Sequence, residues 1–141
     1  MTHRNDRISK LLFAATVFVF ATGHGNEGCC AGEAEEVLGP ATETECPPTS
    51  TLTYATFGDE FMNTYCTRCH SSALTGTARM GAPEFHDFDT IEGIVGVANH
   101  IDQTAASGPA ATNDSMPIDG LMPALAERQQ LAEWIACGTP E

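Results

Sequence analysis

The sequence predicts one small all-α domain, with three or more helices joined by irregular loops. Apolar residues recur at helical spacing in three segments. Each segment is bounded by residues that start or stop helices. No strand-like alternation competes with them, and 141 residues suit one domain plus extra sequence rather than two domains.

The first helix is expected from about residue 57, carrying Phe57, Phe61, Met62 and Tyr65 on one face and running into Cys66. The second is expected over 91–103. Asp89 stands where an N-cap is wanted, with Glu92 three residues on as the other half of a capping box. Ile91, Ile94, Val95, Ala98 and Ile101 then form its apolar stripe. The third starts at Pro123, a residue suited to a first helical position, and passes through Leu131, Trp134 and Ile135. Gly138-Thr139-Pro140 stops it. Between the last two helices, 104–122 is a loop rich in Gly, Pro, Ala and Ser.

The folded domain is therefore placed at 54–141. Residues 1–23 read as a secretory signal peptide: Arg4, Arg7 and Lys10, then an apolar run, then small residues near Gly23 and Gly25. The run is about half the ~20 residues that span a bilayer, so no transmembrane helix is expected in the mature chain. Residues 24–53 read as an acidic flexible linker, rich in Glu, Gly, Pro and Thr and poor in large apolar side chains. Gly28-Cys29 offers a competing lipid anchor at Cys29, although Asn26 stands where such a box wants a Leu-like residue.

Without the first 23 residues the chain holds 18 acidic side chains against three arginines, with no lysine. That balance argues against nucleic acid and anionic membranes as partners. It also excludes docking through a ring of lysines.

Cys66-Thr67-Arg68-Cys69-His70 carries the chemistry. Cysteines at i and i+3 and a histidine at i+4 project from one helix face. Two thiols so placed can add to the two vinyl groups of a haem, with the imidazole aimed at the iron; Cys-x-x-Cys-His is the c-type attachment signature. A zinc site would need a second pair of ligands at suitable spacing, and Cys46, Cys137, His86 and His100 are scattered singly. A thioredoxin-like dithiol would need a βαβ setting, which is not visible. Export favours haem c further, and a covalent haem would give a small domain the apolar centre it lacks.

From about residue 53 to 140 the chain resembles class I c-type cytochromes, the monohaem cytochrome c family. The resemblance implies a small cytochrome c-like fold around one covalent haem c. The helix leading into the motif would cross the C-terminal helix, with Gly58 at their close approach and Leu131, Trp134 and Ile135 opposite. It implies that Pro83 supplies a carbonyl to the proximal imidazole of His70, a bond that orients the ring. As a plain alternative, Pro83 is a turn residue. The family's sixth iron ligand is a loop methionine before the last helix. Met116 and Met122 both precede proline; Met116 is preferred because it lies in mid-loop, whereas Met122 abuts the helix and can be explained as packing. Met80, close after the motif, is a weaker rival. His86, read as an exposed loop residue, and His100, off its helix stripe, offer bis-histidine ligation, which gives a lower potential. Arg79 can pair with a haem propionate or form an ordinary surface ion pair.

Because the terminal helices of such a fold pack together, Cys46 before the first and Cys137 after the last are expected to form a disulfide in an oxidising compartment. The functional expectation is a periplasmic electron-transfer protein, not an enzyme, cycling between ferric and ferrous haem. Its redox partner would offer a basic or an apolar docking face. The competing expectation is a haem sensor or peroxidase-like enzyme with an open or labile distal site.

Overall fold

The computed structural model describes residues 38–141. The expected signal peptide, the first part of the expected linker, and Cys29 and Cys30 lie outside the described residues. The described chain is all-α: α1 (Asp59–Tyr65), α2 (Ile91–Gly96), α3 (Ala98–Ala105) and α4 (Leu125–Ala136), joined by long irregular loops. Among the described residues the only β-pairing is a single bridge between Ser107 and Thr112. None of the described helices is long and apolar enough to cross a membrane.

Helical backbone begins earlier than the apolar spacing predicts. Thr53 caps the chain: its hydroxyl accepts from the Thr56 amide at 3.1 Å, and its own amide donates to the Thr56 hydroxyl at 2.9 Å. A wide π-helical turn, Tyr54–Gly58, then runs straight into α1. The expected second helix is split in two. Val97, at φ −132° and ψ 26°, separates α2 from α3. The run Ile91-Glu92-Gly93-Ile94-Val95-Gly96-Val97 explains the break, since its glycines and β-branched residues are weak helix formers. The break also rotates the stripe: Ile94 and Ile101 are buried while Val95 is exposed. The cap of α2 is Thr90, whose hydroxyl accepts from the Gly93 amide, and not Asp89. Nor is Pro123 the first residue of α4. That helix starts two residues later, with the Glu127 carboxylate accepting from the Ala124 amide at 2.7 Å.

One core holds these elements together. Phe61 and Met62 of α1 meet Ile94, Ile101 and Ala105 of α2 and α3 and Leu131, Ala132 and Trp134 of α4, with Phe88 from the preceding loop. Phe57 meets Phe61 tilted, with centroids 5.3 Å apart, and Trp134 edge to face at 6.1 Å. At the other end of α1 the Tyr65 hydroxyl donates to the Glu127 carboxylate at 3.0 Å, tying the start of α4 to the motif.

Residues 38–53 correct the expectation of a flexible linker reaching to 53. They form a strap packed on α3 and α4. Thr42 is buried, and its amide and hydroxyl both donate to the Asp102 carboxylate, at 2.9 and 2.6 Å. The Gly39 amide reaches the Gln103 carbonyl, and the Asn113 side chain reaches the Pro40 carbonyl, each at 2.9 Å. The strap ends in the disulfide between Cys46 and Cys137, with Cα atoms 4.7 Å apart, as the sequence led us to expect. Composition missed the strap because its fastening is made of hydrogen bonds and one disulfide, with no apolar stripe.

Candidate functional site

The last turn of α1 delivers the Cys-x-x-Cys-His motif. Cys66 ends the helix, and the amides of Cys69 and His70 both turn back to its carbonyl, at 3.1 and 3.0 Å. This turn gathers both thiols and the imidazole at one end of α1. Cys66 and Cys69 are unbridged and half-buried, while Cys46 and Cys137 are oxidised to each other. Burial pushes the Cys66 thiol up to about 12, against the smaller opposing pull of Arg68. A redox dithiol needs the reverse, a thiolate stabilised near neutral pH.

His70 lies flat against Phe88, with ring centroids 4.5 Å apart at 8°. Burial, then the neighbouring His86, lowers its pKa to about 4, with Arg79 adding to the shift. The backbone of His86 opposes the shift, yet His70 Nδ1 is buried with no hydrogen-bond partner. A buried polar atom left unpaired costs about 1–3 kcal/mol and calls for an explanation. The ring is therefore a neutral imidazole at physiological pH with nitrogen capacity to spare, the state in which histidine ligates metal.

The loop after the motif is wound around Arg79, which is 4% exposed. Its guanidinium donates to the carbonyls of Ser71, Ala82, Pro83 and His86 and to the Asp87 carboxylate. Every N–H of that fork faces a partner inside the loop, so in this arrangement Arg79 is a structural tie and has none left for a propionate. Pro83 is placed likewise: its carbonyl accepts from Arg79 Nη2 and from the His86 amide, and not from His70. His86 is not the exposed loop residue that the sequence suggests, while His100 is half-buried. His86 is buried, 5.9 Å from His70 and 5.5 Å from His100 by ring centroids, and Nδ1 of His100 is buried without a partner.

The loop before α4 lies against the same end of α1, held by the Arg68–Asp119 ion pair at 2.7 Å. It carries both candidate methionines. Met116 is half-buried against the core, whereas Met122 is exposed, so packing does not account for Met122 as the sequence suggested. Met80 is exposed, with its sulfur 3.5 Å from the Cys69 thiol. Ile118, Leu121 and Leu125 are exposed as well. Among the described residues no three His, Cys, Asp or Glu side chains gather as a metal-binding group.

Sequence reasoning missed Arg128. It is 4% exposed and its Nη1 lies 2.6, 2.9 and 3.1 Å from the carbonyls of Ala105, Asn113 and Met116. The signal was there: Arg128 is three residues before Leu131, on the apolar face of α4.

At this end of α1 stand two unbridged thiols, an imidazole whose buried Nδ1 has no partner, and a loop with a thioether tied there by the Arg68–Asp119 pair. No protein-family model matches the chain, and no curated protein or solved structure matches it.

Proposed function

We propose that this protein is a monohaem c-type cytochrome that transfers electrons outside the cytoplasm. The single observation that carries the reading is the cysteine partition. In a chain whose Cys46 and Cys137 are oxidised to each other, the Cys66 and Cys69 thiols stay free beside an imidazole whose buried Nδ1 has no partner. When bound, haem c supplies a one-electron ferric/ferrous couple. Cys66 and Cys69 would hold it covalently, and His70 and Met116 would supply the nitrogen and sulfur ligands of its iron. A soft thioether favours ferrous iron and raises the potential.

The surface suits such a carrier. The described residues hold fourteen acidic side chains and three arginines. Arg68 is paired with Asp119, while Arg79 and Arg128 are buried. A redox partner would therefore meet acidic and apolar groups and would offer a basic or apolar face. Export through residues 1–23 delivers the chain to the compartment where haem c is attached.

The test is an absorption spectrum of ferrous protein matured in a bacterial periplasm, with and without carbon monoxide. A sharp low-spin c-type spectrum indifferent to the gas is expected. Prompt carbonyl formation would replace electron transfer with the sensor or peroxidase-like reading, and protein without pigment would end the haem reading.

A further inference from the structure

Arg128 is a buried cation without a salt bridge among the described residues; the two ion pairs belong to Arg68 and Arg79. Its charge is met by carbonyl dipoles at the end of α3 (Ala105) and in the following loop (Asn113 and Met116). Its own carbonyl accepts from the Ser107 amide at 3.1 Å. Desolvating a cation is expensive, and a Leu or Met would cover this face of α4 without that cost. What Arg128 adds is therefore order in the loop. That loop is rich in Ala, Gly, Pro and Ser and supplies little apolar surface of its own. Met116, like Asn113, is held on both sides of its backbone: its amide donates to the Thr104 carbonyl at 3.0 Å, and its carbonyl accepts from Arg128 at 3.1 Å. The Ser115 hydroxyl joins the same Thr104 carbonyl at 3.2 Å.

We propose that Arg128 is the positioning residue for the sixth iron ligand: by clasping the carbonyls of Ala105, Asn113 and Met116 it fixes the Met116 backbone and keeps its thioether ready for iron. The inference rests on the haem reading above. It assigns a ligand-holding role to a residue that would otherwise count as a misplaced surface charge. Hydrogen bonds that fix a ligand from behind set how firmly it binds.

The experiment compares wild-type holoprotein with Arg128→Met and Arg128→Lys. Haem content is measured first, on denatured protein, because pigment without regard to ligation reports on the haem reading alone. Arg128→Met is expected to lose the ferric sulfur-to-iron absorption and to bind carbon monoxide stoichiometrically when ferrous, with a lower potential. Arg128→Lys, which keeps a charge but reaches fewer carbonyls, is expected to fall between. Pigmented variants that retain the sulfur-to-iron absorption and ignore carbon monoxide would overturn the assignment. Should neither variant accumulate, hydrogen exchange on the wild type decides. The Met116 amide should exchange as slowly as core amides of α4, and fast exchange at Met116 would overturn the clasp.

Discussion

Gly58 and Trp134 meet with no room for a side-chain carbon between them. A Cβ on Gly58 would lie 2.6 Å from Cζ2 of the indole and 2.7 Å from Cη2. The indole cannot retreat easily, since Trp134 is fully buried and its Nε1 donates to the Pro140 carbonyl at 3.1 Å. The same carbonyl accepts from the Tyr54 amide at 2.7 Å, so the chain terminus, the entry to α1 and the indole share one junction.

Gly58→Ala tests this approach. Gly58 has ordinary helical angles, φ −61° and ψ −46°, so alanine is not opposed by the backbone and even gains about 0.5–1 kcal/mol of helix propensity. Overpacking against the indole is expected to outweigh that gain, for a net loss on the order of 1–2 kcal/mol. Guanidinium denaturation measures it. A neutral or stabilising result would mean that the two segments have slack between them.

Cys46 and Cys137 close a loop of 91 residues by sequence separation. Replacing both by serine is expected to remove on the order of 4 kcal/mol, because the unfolded chain regains the entropy that the bridge withholds. In mass spectrometry of intact holoprotein neither thiol should accept an alkylating reagent until a reductant is added. Cys66 and Cys69 should stay blocked even then, as thioethers. Alkylation of Cys46 or Cys137 without reductant would refute the pairing.

Asp89 sits before the cap of α2, and its carboxylate reaches back to the motif's exit. It accepts from the Ser72 amide at 2.9 Å, the Ser72 hydroxyl at 2.8 Å and the Ser71 hydroxyl at 2.9 Å. Burial alone would raise its pKa, but these hydrogen bonds outweigh it and hold the carboxyl below its ordinary 3.8. A carboxyl depressed on folding contributes stability that is complete above the unfolded value and is lost as pH falls through the folded one. The clamp on Ser71 and Ser72 should therefore be intact above about pH 4 and released in stronger acid. An NMR titration of the Asp89 carboxyl checks this, and a midpoint at or above 3.8 would mean that the clamp does not form in solution.

The helices and their common core were legible because apolar spacing records which faces are buried: Phe61, Met62, Ile94, Ile101, Leu131 and Trp134 all came from that pattern. The disulfide was legible from where its two cysteines stand relative to the terminal helices. The strap was not, since Thr42 and Asp102 are polar partners 60 residues apart, and neither side alone signals the other. The site shows the same division. The motif spacing announced Cys66, Cys69 and His70, while the roles of the arginines depended on loop carbonyls, which every residue carries and no sequence pattern marks. Arg79 and Arg128 look like sparse surface charges in the chain and are the two points around which the loops are wound.

Met116 and Met122 both precede proline, and burial does not choose between them as the sequence suggested. The half-buried one is Met116, which could pass for packing, and the exposed one is Met122. The backbone separates them better. Met116 is fixed on both sides, by the Thr104 carbonyl and by Arg128, whereas the Met122 sulfur only approaches Arg128 Nη2 at 3.9 Å. A ligand held in place binds without having to order its loop at the moment of ligation, a saving of about 1–2 kcal/mol for each backbone residue already fixed. Met116→Ala is therefore expected to lower the reduction potential markedly and to open the ferrous iron to carbon monoxide. Met122→Ala should leave both unchanged. Potentiometric titration of the two variants beside the wild type measures the difference, and a fall in potential confined to Met122→Ala would move the ligand to that residue and with it the purpose of the Arg128 clasp.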